Sequence, residues 1–318
     1  MPPKIELGAA TLFAGSACTR LAVAVERELG LRFSVCTSER FPDGEVSVRL
    51  DEPVRGRDVI VLAPTSPPVN DHVVELLAIA DACRRADAAR VVAIVPYFGY
   101  ARSDRRDGRR TPIMASLVAN LIERAGIDHV VTVDVHTPAL EGFFRIPVDN
   151  LTAIPVLATA LQRRVPADAV IVAPDLGAVR LANRYATQLG LPVAVCHKRR
   201  IGGAEVTIGR VTGDVAGRRC VIIDDMISTG GTIAESVRAL EDAGALPNAI
   251  VAATHAVFAP GALDKIAEAG VRELLVTDSI EPHGDTAPRP TVEVVSIASL
   301  VATAIRRLVE GGSLRELA

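Results

Sequence analysis

The chain has no tryptophan, no polar low-complexity tract, no linker rich in glycine or serine, and no excess of positive charge. With hydrophobic residues at 49% and charged residues at 23%, it fits neither the disordered nor the fibrous class, so it is globular. The net charge of -3 removes the basic footprint of proteins that live on nucleic acid or an anionic membrane, so any anion site must be local. No stretch approaches the roughly 18 uninterrupted apolar residues of a membrane span. The five cysteines, Cys18, Cys36, Cys83, Cys196 and Cys220, are odd in number and scattered, with no C-x-x-C pair. They argue for reduced thiols rather than a disulfide framework or a zinc site. The opening MPPKIELGAATLFAG lacks the basic-then-apolar order of a secretory signal, and a cytoplasmic location is expected.

What is present is length and repetition. A chain of 318 residues exceeds one ordinary core and suits two α/β domains of about 150 residues each. Short apolar, β-branched runs recur: VIVLA at 59–63, VVAIV at 91–95, VVTV at 130–133, AVIVA at 169–173, CVIID at 220–224, IVAAT at 250–254 and ELLVT at 273–277. Their hydrophobicity is continuous rather than alternating, which predicts strands covered on both faces in parallel sheets with crossover helices. One helix is predicted from Ile113, Leu117, Leu121 and Ile122, stopped at Gly126. Another is predicted from Ile233, Val237 and Leu240, stopped at Gly244. The boundary is set near Asn150, after FFRIPVDN, giving domains 1–150 and 151–300, with a C-terminal helix 297–318 expected on the first. In open parallel sheets ligands sit off the carboxyl ends of strands, so the strand-end loops carry the chemistry.

After CVIID come Asp224, Asp225, Met226, Ile227, Ser228, Thr229, Gly230, Gly231 and Thr232, then a helix. Two carboxylates can accept hydrogen bonds from a sugar diol, while Gly230 and Gly231 let backbone N–H groups close on a phosphate at the helix N-terminus. Ser228, Thr229 and Thr232 add hydroxyl donors. A capped loop would explain any one of these residues alone; their order together points to a sugar phosphate. Phe41-Pro42-Asp43-Gly44-Glu45 reads as an acidic turn. The segment after VVAIV carries five arginines against two aspartates from Arg102 to Arg110, a local cationic patch suited to a triphosphate. Asp134-Val135-His136 and Pro174-Asp175-Leu176-Gly177 end two further strands. His197-Lys198-Arg199-Arg200 leads through glycines into EVTIGRV, a basic connection able to close over a site.

The DDMISTGGT segment resembles the phosphoribosyl-diphosphate-binding loop of the phosphoribosyltransferase superfamily. The ordered set FPDGE, YFGYARSDRRD, DVH, PDLGA, HKRR and DDMISTGGT, with flanks such as RTPIMASLVANLIERAGIDHVVTVDVHTPALEGFF, resembles the ribose-phosphate diphosphokinase family over nearly the whole chain. The resemblance implies two phosphoribosyltransferase-like domains, each a mainly parallel sheet flanked by helices. It implies transfer of the β,γ-diphosphate of ATP to O1 of ribose 5-phosphate, with Mg2+ as cofactor, in a dimer-based homo-oligomer that is hexameric in many members. Neither nucleic acid nor membrane is an expected partner. By the same resemblance Phe41, Asp43, Gly44 and Glu45 contact the nucleotide, reaching into a neighbouring subunit, and Arg102, Ser103 and Asp107 hold it. His136 and Asp175 match metal-contacting positions, and Lys198 and Arg200 are the cations of a mobile catalytic loop. Arg200, Asp224, Asp225, Ser228, Thr229, Gly230, Gly231 and Thr232 bind ribose 5-phosphate. Ser103 departs from a usual glutamine, Ser228 from a frequent aspartate and Ala178 from a second glycine. A transferase that consumes phosphoribosyl diphosphate explains only the last loop, and an inactive regulatory paralogue is the third alternative.

Overall fold

The computed structural model describes residues 10–106, 108, 110–202, 205–271, 273–281 and 290–318, with the side chains at 198–202 and 205–209 also outside that description. The chain divides into two compact units. Unit 1 comprises residues 1–152, 279–281 and 297–318, and unit 2 comprises 153–278 and 282–296.

Unit 1 runs β1 (Ala10–Ala14), α1 (Thr19–Leu29), β2 (Cys36–Arg40), β3 (Val46–Leu50), β4 (Asp58–Leu62), α2 (Val69–Arg85), β5 (Arg90–Val95), α3 (Met114–Arg124), β6 (His129–Val133) and β7 (Val148–Leu151). The main sheet has the order β1-β4-β5-β6-β7 and every pairing in it is parallel. Val59, Val61, Val91, Ala93, Val95 and Val130 from three of its strands share one core with α2 and α3. This is why these strands read as continuous apolar runs. β2 and β3 form a separate antiparallel hairpin, whose Cys36, Val48 and Leu50 pack on the same core.

Unit 2 runs α4 (Ile154–Gln162), β8 (Val170–Ala173), α5 (Val179–Leu189), β9 (Val193–Gly202), β10 (Glu205–Thr212), β11 (Cys220–Ile227), α6 (Gly231–Asp242), β12 (Ile250–Ala256), α7 (Ala262–Glu268), β13 (Glu273–Thr277) and β14 (Thr291–Val295). Its sheet order is β10-β9-β8-β11-β12-β13-β14, parallel except for the antiparallel β9–β10 edge. The chain then returns to unit 1 as α8 (Ala298–Glu310), which packs on α1. Among the described residues no helix is long and apolar enough to cross a membrane.

Both expected helices form, but one turns a different face inward. In α6, Ile233, Val237 and Leu240 are buried as their spacing predicts. In α3, Leu117 and Leu121 are 48% and 43% exposed, while Ala115, Val118, Ala119 and Ile122 face the core. Two alanines on the inner face let the helix lie close to the sheet, leaving no room there for the leucines. The basic connection at 197–200 is also different from the loop expected. Lys198 pairs with Ile208 and Arg200 with Val206 across β9–β10, because the β-branched EVTIGRVT segment supplies a partner strand.

Candidate active site

In unit 1 the carboxyl ends of β4 and β5 border a cavity of about 710 Å3, lined by residues from the start of α2, by Tyr97, Tyr100, Arg102, Ser103 and Arg105, and by Thr111 and Pro112. The loop on its wall is tightly built. Thr65 Oγ1 accepts from Gly99 N at 2.6 Å, and Tyr100 stands in the left-handed region at φ +67°. Ser103 Oγ accepts from Met114 N at 3.3 Å and Ser103 O accepts from Ala115 N at 3.1 Å. The predicted nucleotide contact Ser103 is therefore also the cap of α3, which has no side-chain cap from its own preceding residue. Arg105 pairs with Asp104, whose carboxyl is held below the usual aspartate range by hydrogen bonding from that guanidinium. Asp107 lies outside the described residues.

Phe41, Asp43, Gly44 and Glu45 form the β2–β3 turn. Phe41 N donates to Glu45 O at 2.8 Å and Gly44 N to Phe41 O at 2.9 Å, and Glu45 N donates to Asp43 Oδ1 at 3.1 Å. Gly44 supplies the positive φ of +95° that the turn needs. Phe41 is 49% exposed, and none of the four is among the residues lining the cavity of their own chain. Arg40, just before the turn, is tied to Asp71 on the cavity wall at 2.7 Å.

At the end of β6, Asp134 is buried with φ +41°. Its Oδ1 accepts from Thr152 Oγ1 at 2.8 Å, and its N donates to Leu151 O at 2.9 Å. Asn150 Oδ1 accepts from Thr132 Oγ1 at 3.2 Å and from Val135 N at 3.1 Å. This mesh fixes the bend that carries His136 to an exposed position.

In unit 2, Asp224 and Asp225 lie in the second half of β11, which runs on to Ile227; Ser228 to Gly230 form the loop and Gly231 opens α6. The Asp224 carboxyl is pushed well above the usual aspartate range, first by burial, then by the neighbouring charges of Asp225 and Asp175. Both neighbouring carboxylates thus oppose the ionisation of Asp224. Gly230 has φ +73°, and a Cβ there would meet Ala262 O and Ile266 Cγ1, both at 2.8 Å. Gly231 differs: a Cβ would meet only Thr229 Oγ1, at 3.7 Å. Asp175 Oδ1 accepts from Ala178 N at 3.1 Å. Lys198 and Arg200 lie on β9 with their side chains outside the described residues. His136 belongs to unit 1 and Asp175 to unit 2. Among the described residues no group of three or more His, Cys, Asp or Glu is arranged to hold a metal by itself. Burial pushes the thiols of Cys36, Cys196 and Cys220 up to about 11, so none of these three is a thiolate nucleophile near neutral pH.

Residues 10–126 match the N-terminal domain of ribose phosphate pyrophosphokinase, and residues 204–318 match the phosphoribosyl synthetase-associated domain. A ribose-phosphate pyrophosphokinase of Mesorhizobium japonicum is 43% identical over 298 residues, covering 93% of this chain and 96% of that protein. The chain belongs to the ribose-phosphate pyrophosphokinase family. A family member from Maricaulis maris is 43% identical over 308 residues, 96% of this chain and 99% of its own length. The crystal structure of phosphoribosylpyrophosphate synthetase from Mycobacterium smegmatis superposes with a TM-score of 0.89 at 41% identity, covering 96% of this chain and 100% of that one. Against the family motifs, Asn70, Asp71 and Thr111 on the cavity wall, and Asp134, Asn150 and Thr152 behind His136, went unassigned by sequence. Asn70 and Asp71 lie well upstream of the YFGYARSDRRD motif, while Thr111 follows shortly after it. Asp134 stands inside DVH, where its position beside the histidine was the available signal.

Proposed function

We propose that this chain is a ribose-phosphate diphosphokinase, transferring the β,γ-diphosphate of ATP to O1 of ribose 5-phosphate and releasing AMP and 5-phosphoribosyl 1-diphosphate. The observation that carries this reading over a transferase is the likeness across both units, where a transferase would account for the last loop alone. In the reaction O1 attacks the β-phosphorus, the bond from that phosphorus to the oxygen bridging it to the α-phosphorus breaks, and the electron pair leaves with AMP. Such a transfer depends mainly on positioning and on neutralising charge spread over oxygens.

The chain's own residues divide that work. The cavity bearing Arg102, Ser103 and Arg105 holds the nucleotide, and Asp107 is assigned to the same ligand by family resemblance alone. Phe41, Asp43, Gly44 and Glu45 complete the same pocket of a second copy, a role supported by their absence from their own cavity lining and by the exposure of Phe41. Asp224 and Asp225 accept from the ribose hydroxyls. The N–H groups from Ser228 to Thr232 bind the 5-phosphate at the start of α6, so a remote anion orients O1. Lys198 and Arg200 neutralise charge at the transferred group, and Arg200 also reaches the sugar phosphate. Mg2+ suits the oxygen donors of the Asp175 carboxylate and would supply charge for the polyphosphate; the ion usually completes its shell with water and substrate phosphate, so a full protein cage is not needed. His136 and Asp175 are its proposed contacts.

The reading includes a homo-oligomer, supported by the exposed Val35, Phe41, Leu117 and Leu121 of unit 1. It also includes a cytoplasmic location, supported by five free cysteines. The test is incubation with ATP, Mg2+ and ribose 5-phosphate. AMP should form in step with phosphoribosyl diphosphate. Consumption of phosphoribosyl diphosphate with a base, and no AMP from ATP, would overturn it.

A further inference from the structure

The loop from Tyr97 to Ser103 is held from behind by a residue that does not line the cavity. Thr65 is fully buried just beyond β4. Its Oγ1 accepts from Gly99 N at 2.6 Å and donates to Tyr97 O at 3.2 Å, while its backbone N donates to the same carbonyl at 2.9 Å. A hydroxyl can accept and donate at once, and a methyl can do neither. Gly99 has no slack: a Cβ there would stand 2.5 Å from Val69 Cγ1 and 2.6 Å from Thr65 O.

The chain then turns through Tyr100, whose left-handed φ of +67° is disfavoured for a bulky aromatic residue and persists only where surrounding contacts over-determine it. Those contacts are visible. The Tyr100 hydroxyl donates to Asn70 Oδ1 on the first turn of α2, and Ser103 N donates to Tyr100 O at 2.8 Å. Thr65 behind the loop and Asn70 across the cavity together fix the backbone that puts Arg102 and Ser103 into the wall.

Resting on the nucleotide reading of this cavity, we infer that Thr65 and Tyr100 are positioning residues for the nucleotide half of the reaction. They hold the arginine-bearing loop in its binding geometry before the triphosphate arrives, so binding does not have to order it. The consequence is one-sided, because the sugar-phosphate loop belongs to the other unit and to none of these hydrogen bonds.

The experiment compares Thr65→Val, Thr65→Ser and Tyr100→Phe in the full-length protein by steady-state kinetics, calorimetric ATP binding without ribose 5-phosphate, and thermal midpoint. Thr65→Val should raise the KM and Kd for ATP about tenfold, the scale of one lost buried hydrogen bond, with the KM for ribose 5-phosphate unchanged. Thr65→Ser, which keeps the hydroxyl, should recover most of that loss. Tyr100→Phe should weaken ATP about threefold or more at an unchanged thermal midpoint. Should Thr65→Val fail to fold, the half-buried Tyr100 decides alone. Wild-type ATP affinity in both folded variants, or an equal rise in KM for both substrates, would overturn the inference. If the wild-type protein binds ATP but releases no AMP, the proposed reaction fails, while the calorimetric comparison still decides this point.

Discussion

The loop after β5 and the loop after β11 stand at the same place in their sheets, the carboxyl end of an inner strand, and they are built on opposite plans. The first is internally satisfied: Thr65, Asn70 and the N-terminus of α3 take up its polar groups, and its glycine is there because packing leaves no space for a Cβ. The second is internally unbalanced. It gathers like charges at Asp224, Asp225 and Asp175 and keeps open space at Gly231. A preformed cationic wall suits a ligand that brings its own negative charge, whereas on the proposed reading the acidic loop would be relieved by a diol, a phosphate and a cation.

The comparison is open to attack, most strongly at Gly231. Gly231→Val should weaken ribose 5-phosphate binding roughly 100-fold through loss of charge-assisted backbone bonds, while ATP binding and the unfolding midpoint stay near wild type. Intact sugar-phosphate binding would remove the loop assignment. Its neighbour should behave in reverse. Gly230→Ala forces a Cβ into the left-handed region and against Ala262 and Ile266, costing at least about 2 kcal/mol of stability, read as a lower urea midpoint.

Asp225→Asn tests the charge imbalance. The folded-state value of Asp224 is raised above its unfolded value, so its contribution favours the folded state fully below pH about 4. That contribution is lost as pH rises through the raised folded value. Removing the neighbouring charge should therefore add about 1 kcal/mol to stability at pH 8 and nothing near pH 3. Equal effects at both pH values would show that the pair does not interact. The smallest effect belongs to the well-satisfied loop: Ser103→Ala should cost about 0.5–1 kcal/mol through loss of the α3 cap, measured by denaturant unfolding.

How much of this could be read from the chain follows from the range of the interactions. Strands β4, β5, β6, β8, β11, β12 and β13 were legible because burial on both faces writes itself as a continuous apolar run. The β2–β3 hairpin was not read as strands, since CTSER carries polar residues along a short two-stranded ribbon, and of β9 only VAVC was read as strand, because the basic run HKRR that continues it has the composition of a loop. The order of acid, hydroxyl and glycine at 224–232 suggested the proposed sugar-phosphate loop from sequence because a helix N-terminus gathers its donors locally. Ser103 as a cap was hidden, its partner lying 11 residues on, and the Thr65–Gly99 bond spans 34. Nor does spacing alone reveal that Ala115 and Ala119, rather than Leu117 and Leu121, face the sheet.

The return of α8 to unit 1 has a consequence for how the protein is made. Leu21 and Val25 of α1 and Val301, Ala302 and Ile305 of α8 are all buried, and Thr152 N donates to Leu317 O at 2.8 Å, yet all of unit 2 is translated between these partners. At about 5–20 residues per second, α1 waits roughly 15–55 seconds for the segment that covers it. Unit 2, almost contiguous in sequence, can close while the earlier unit is still incomplete. Unit 1 thus begins to emerge before unit 2 and finishes after it, with the apolar face of α1 uncovered in the interval.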